Sequence, residues 1–152
     1  MSDILAQAIN GDMSAFSTMY ADTYKNMYYV AYYSLVNGNE ATKAVKAAAD
    51  QAYAEIGRCK KEKDFEYFFL KKLCEQIISC YREYRKNTPE IETNPPYIKS
   101  VMLRLTDAER LSVCVWAVFG LSPKEISELT GLAGDVVKKK LESGQNKIAS
   151  KL

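Results

Sequence analysis

Apolar residues recur along most of this chain at steps of three and four, with polar and charged residues between them. That is the period of one helix face after another. Ile4, Leu5, Ala8 and Ile9 make a short helix, which Ser2 or Asp3 can cap and Asn10-Gly11 ends. Asp12 caps a long helix carrying Phe16, Met19, Tyr20, Tyr24, Met27, Tyr28, Ala31 and Leu35, and Asn37-Gly38 is expected to close it. A second long helix spans about Glu40 to Ile56 and is alanine-rich, hence strongly helical by propensity. Gly57 breaks the pattern, and 58–64 is a charged loop. A third long helix follows from Phe65, with Phe68, Phe69, Leu73, Ile77, Ile78 and Tyr81 inward.

Pro89, Pro95 and Pro96 interrupt the pattern among polar residues, where no helix can continue. Beyond them lie three further helices, led into by Ile98 to Leu105. Thr106 with Glu109 and Ser122 with Glu125 are capping boxes, Pro123 stands at a first helical position, and Gly120 and Gly131 sit at helix ends. Leu111, Val115, Val118 and Phe119 with Trp116 should supply most of the local core. Val137, Leu141 and Ile148 set the inner face of the last helix, which also carries Lys138, Lys139, Lys140 and Lys147. The fold class expected is all-α: two small helical domains, 1–87 and 101–152, joined by a proline-containing linker at 88–100 that lets them move relative to each other. A short capped helix, a tight turn and a longer lysine-bearing helix are the parts of a helix-turn-helix.

Tyr29, Tyr32 and Tyr33 make the first long helix apolar nearly all round, so a second surface should cover it besides its own domain. Composition narrows the function classes. There is no histidine, no glycine-rich phosphate loop and no convergent set of carboxylates, which argues against an enzyme. Cys59, Cys74, Cys80 and Cys114 stand singly in apolar contexts, so buried free thiols are expected rather than a disulfide frame or a metal site. No apolar run approaches a membrane span, and a soluble cytoplasmic protein without cofactor is expected. The net charge is only +2, and no segment is strongly basic, so contact with nucleic acid must rest on local patches.

The stretch GLSPKEISELTGLAGDVVKKKLESGQNKI resembles region 4 of the bacterial sigma-70 family, in particular its extracytoplasmic-function (ECF) group. Gly120, Leu121, Ser122, Glu125, Ile126, Gly131, Val137, Lys138 and Leu141 carry the likeness. The opening, LAQAINGDMSAFSTMYADTYKNMYYVAYYSLVNGN, is similar to ECF region 2 through Gly11, Asp12, Ala15, Phe16, Tyr20, Tyr24, Tyr28 and Leu35. Two such patterns in family order are more specific than either alone. The resemblance implies a transcription initiation factor that recruits core RNA polymerase to promoter DNA, with an anti-sigma factor as a further partner class. It places contacts with the −35 duplex on Asp135, Val136, Lys138, Lys139, Lys140 and Lys147. Contacts with the −10 strand would fall on Lys60, Lys61, Lys63, Tyr67, Lys71, Lys72, Arg82 and Arg85. Polymerase docking would fall on Lys43, Lys46, Asp50 and Gln51.

The chain departs from the family pattern in two places. The docking helix should be acidic but reads Lys43-Ala44-Val45-Lys46, and reversing the sign of such a surface costs affinity for an unchanged partner. In the last helix Ala133 replaces the usual serine cap, Ser143 and Gln145 replace arginines, and Gly144 replaces alanine. Arginine makes bidentate guanine contacts that lysine does not match. Two alternatives therefore accompany the promoter reader. One is a degenerate sigma-like regulator acting through protein contacts; the other is a dimeric operator-binding repressor.

Overall fold

The structure is a computed structural model and describes residues 2–86 and 97–151; the expected linker lies largely outside the described residues. Every element among them is helical. In chain order they are α1 (Asp3–Ile9), α2 (Met13–Leu35), α3 (Gly38–Ala54), α4 (Glu62–Lys86), α5 (Tyr97–Leu103), α6 (Asp107–Phe119), α7 (Pro123–Thr130) and α8 (Gly134–Ala149), with a 3-10 turn at Ile56–Arg58.

Local chemistry sets most of the boundaries. Asp12 Oδ1 accepts the amides of Ser14 and Ala15 at 2.9 and 3.2 Å, which starts α2. The end of α2 differs from expectation. Val36 closes it in the left-handed conformation, at φ 53°, and Asn37 already caps α3 by accepting from the Glu40 amide at 3.0 Å. With Asn37 and Gly38 used to open the next helix, Val36 alone remains to reverse the chain, at a cost of about 1–2 kcal/mol for an L-residue. The charged stretch 58–64 is only partly a loop. Asp64 Oδ2 accepts the amides of Lys60 and Lys61 at 2.8 and 3.2 Å, so α4 starts at Glu62.

Helices α2, α3 and α4 form the first bundle. Ala41, Ala44, Val45, Ala48, Ala49 and Ala52 are the buried face of α3, and such small side chains let helix axes approach closely. The remaining space is aromatic. Phe16 meets Phe65 edge-on at 5.6 Å between centroids and Tyr53 at 4.7 Å, while Tyr20 stacks on Phe69 at 5.8 Å. Phe65, Phe69, Leu73, Ile77 and Tyr81 are buried as expected, whereas Phe68 and Ile78 are half-buried.

Helix α6 corrects the sequence reading. Trp116 is 42% exposed and contributes little core, while every residue from Glu109 to Val115 is buried. Seven consecutive buried residues mean that α6 is covered all round for two turns. It packs on α8 on one side and on α2 on the other. Glu109, Arg110 and Ser112 hid this in the sequence, because their polarity reads as solvent-facing.

The two helical units thus share one hydrophobic core. Helix α2 meets α6, and α4 meets α7. The second cover predicted for the tyrosine-rich helix comes in part from the chain itself: the Lys99 ammonium of α5 lies 4.8 Å from the centre of the Tyr32 ring. No described helix is long and apolar enough to cross a membrane, and no metal-ligating cluster occurs among the described residues.

Candidate nucleic-acid interface

Helices α7 and α8 make the helix-turn-helix. Ser122 Oγ accepts the Glu125 amide at 3.2 Å, and Glu125 Oε1 accepts the Ser122 amide at 3.1 Å. Gly131 turns the chain at φ 78°, a conformation that glycine adopts without penalty. The Ser127 hydroxyl donates to the Leu132 carbonyl and closes the turn. Helix α8 then begins at Ala133, whose side chain accepts nothing. Ala133→Ser is therefore expected to stabilise the protein by about 1 kcal/mol. Thermal unfolding followed by circular dichroism should show a rise of about 3 °C.

Val137, Leu141 and Gly144 are the buried face of α8. At 100° per residue, the opposite face carries Asp135, Lys139, Glu142 and Asn146, with Lys138 on its flank; all five are exposed. Two carboxylates thus interleave with two lysines. Lys140 and Val136 are half-buried on the other flank. Lys147 is committed elsewhere: its ammonium is 2.7 Å from Glu109 Oε1. Of the residues expected at the −35 duplex, Lys138 and Lys139 are the basic groups standing clear of the core.

The departures in α8 have a local cause. Glu109, 2% exposed, is a hub between α6 and α8. Its carboxylate accepts from the Thr106 amide at 2.8 Å, from the Ser143 hydroxyl, and from Lys147. Burial alone would raise its pKa, but the Lys147, Ser143 and Thr106 hydrogen bonds outweigh burial and hold it down at about 2. Ser143, at a position where the sequence resemblance implies arginine, anchors α8 instead. Gly144 permits the close approach: a Cβ there would sit 2.7 Å from Val113 Cγ2 and 3.5 Å from the Glu109 carbonyl. Gly144→Ala gains helix propensity but overpacks a stiff valine. A net loss of about 1 kcal/mol is expected. Adding Val113→Ala should restore part of it, as measured by urea unfolding.

The −10 set divides. Lys60 and Lys61 are exposed in the loop and Lys63 in the first turn of α4. The hydrogen bond from the Lys60 amide, with that from Lys61 and the two ammonium charges, lowers the pKa of the exposed Asp64. Tyr67, 40% exposed, shares the outward side of α4 with Lys71 and Arg82. Lys72 faces another way and lies within 3.9 Å of Glu55 and 3.6 Å of Glu75. Arg82 lines a crevice of about 300 Å³ with Asp107 and the Thr130–Leu132 turn. The Arg85 side chain lies outside the described residues. On α3, Lys43, Lys46 and Asp50 occupy one exposed face with Gln51 beside it. Lys43 on that face pairs with Glu40 at 3.6 Å across open solvent, a weak pair. An open groove of about 500 Å³ runs between the units, lined by Tyr29, Tyr33, Ile98, Met102, Val118 and Ile148 among others.

No family model matches this chain, and no curated protein matches its sequence. Among solved structures, it is similar to that of CnrH in complex with the cytosolic domain of CnrY. The match has a TM-score of 0.72 and covers 97% of this chain and 93% of that chain at 17% identity. At that identity the likeness is one of fold, and it spans both helical units.

Sequence reasoning missed Arg110 and the reach of Glu109. Glu109 signalled itself only as a capping-box partner. Arg110 follows it with no motif, and its burial arises from helices distant in the chain.

Proposed function

We propose that this protein is a sigma-like transcription initiation factor of the ECF type, a recruitment factor and not a catalyst. The observation that carries the reading is the near whole-chain fold likeness to CnrH, an ECF sigma factor. The two sequence patterns support it independently, since they occur in family order on α2 and on α7–α8. In this reading residues 1–87 hold core polymerase through the outer face of α3, and engage the −10 strand from the loop before α4 and the Tyr67–Lys71 side. Exposed aromatics beside lysines suit single-strand capture, because bases stack while ammonium groups pair with phosphates. Residues 101–152 read the −35 duplex through α8, with Lys138 and Lys139 on phosphates. Run-off transcription with a matching core polymerase and a genomic promoter library tests the reading. Promoter-dependent transcripts are expected; their absence, together with failure to capture polymerase, would end it.

A second reading has an observation of its own. The outward face of α8 is nearly charge-balanced, and an apolar groove spans the two units. Both fit a regulator that works through protein contacts, with an anti-sigma factor among its partners. Duplex DNA binding that stays negligible even at low salt would favour it.

A further inference from the structure

The outward face of α8 is ordered by sign. At 100° per residue, Asp135 and Glu142 lie about 20° apart, on one line down the middle of that face. Lys138 and Lys139 flank the line, about 50° to either side of it. All four are exposed. Asp135 stands four residues before Lys139, and Glu142 four after Lys138, a spacing at which ion pairs commonly form on a helix surface. Neither pair is formed here, and neither carboxylate accepts from any described residue. The rotation of the helix is fixed from behind. Ser143 and Lys147 hold Glu109 of α6, and Gly144 seats against Val113. The line of carboxylates therefore has a set direction, and it points away from the protein.

A helix lying in a major groove meets base edges along its centre line and phosphates along its flanks. Lysines on both flanks suit the two walls. The centre line of α8 offers carboxylates, which accept hydrogen bonds and donate none. Guanine presents two acceptors in that groove, and thymine an acceptor beside a methyl group. Adenine presents a donor next to an acceptor, whereas cytosine presents an amino donor alone. A carboxylate aimed at guanine or thymine is left against an acceptor with its solvation lost, a penalty that rejects those bases. An arginine fork in the same place makes the opposite choice, for guanine.

We propose that Asp135 and Glu142 are the specificity-determining residues of α8, each selecting a cytosine by accepting from its N4 amino group, with Lys138 and Lys139 on the two phosphate walls. The inference rests on the promoter reading and names what that site reads. Asp135 and Glu142 are separated by about 10 Å along the helix axis, the rise of about three base pairs. The two cytosines therefore belong to different base pairs, about three steps apart. Near-balance of charge on this face weighs against DNA only if every charge meets a phosphate. Divided between floor and walls, the same charges become a readout.

The experiment is a selection. The full-length chain, loaded on a matching core polymerase, retains duplexes from a pool randomised across the −35 segment, and the retained duplexes are sequenced. Two cytosine columns about three base pairs apart are expected. Exchanging either cytosine for guanine should weaken binding about tenfold, a typical loss for one wrong base pair. Glu142→Gln should turn one column from cytosine to adenine and leave the other as it was, because an amide matches the donor and acceptor of adenine. Asp135→Asn should act in the same way on the other column alone. Both side chains are exposed, so neither exchange disturbs the packed face of α8. Simple repulsion predicts a different result: neutralising a carboxylate strengthens every duplex by one factor and moves no column. That result, or wild-type columns without cytosine, overturns the proposal and leaves the promoter reading standing. Retention of no duplex at all removes the promoter reading and the base readers together, and favours the protein-contact regulator.

Discussion

Glu109→Ala is expected to cost about 3 kcal/mol of stability, because it removes a buried carboxylate that accepts from three donors, two of them without ready access to water. Three donors lose their acceptor at once: the Thr106 amide, the Ser143 hydroxyl and the Lys147 ammonium. The first turn of α6 and the packing of α8 loosen together. Thermal unfolding should show a fall of about 10 °C. The carboxylate also sets a pH dependence with a defined sign. Its pKa is about 2 in the folded protein and near the ordinary 4.5 once unfolded. The stabilisation is therefore complete above about pH 4.5 and is lost as pH falls towards 2. Urea midpoints between pH 5 and 2.5 should fall steeply for the wild-type chain and less steeply for Glu109→Gln. Equal slopes would mean that Glu109 is not held as a buried carboxylate.

Removing Lys138 and Lys139 together is expected to weaken duplex DNA binding about 30-fold at 0.15 M salt. Each phosphate contact contributes about 0.9 to the slope of log affinity against log salt, so two contacts remove about 1.8 units. Lys140→Ala, on the half-buried flank, should change the slope little. Lys147→Ala should act mainly on stability, because its ammonium serves Glu109. Fluorescence anisotropy over a salt series separates these outcomes. A double variant with an unchanged slope would remove α8 from the DNA interface and leave the protein-contact reading in its place.

The signals that were legible in the sequence are the local ones. Capping boxes at Thr106 and Ser122, glycine turns at Gly120 and Gly131 and the Asp12 cap all appear where the residues placed them, because their partners lie within a few residues. Apolar period located the inner faces of α2 and α4. What stayed hidden depends on long-range packing. Trp116 reads as core yet is largely exposed, and Arg110 reads as surface yet is buried, because α6 is enclosed by α2 and α8 together. The same limit applies to the candidate interface. Lysines at 138, 139, 140 and 147 look alike in a string of letters. Their helical angles and the Glu109 hub divide them into two that face outward, one on a flank and one held in an ion pair. The Gly144 anomaly resolved for a related reason: Val113, distant in sequence, occupies the place of the missing methyl.

The inward side of α3 is built almost wholly from methyl groups. Enlarging any of them would wedge the first bundle apart, so that side has almost no latitude to change. The opposite side faces solvent, where Lys43 makes a weak pair with Glu40, and a lysine there can be exchanged for glutamate without disturbing the packed face. Charge on this helix is thus uncoupled from the architecture beneath it, and its choice of partner can be rewritten while the bundle stays as it is.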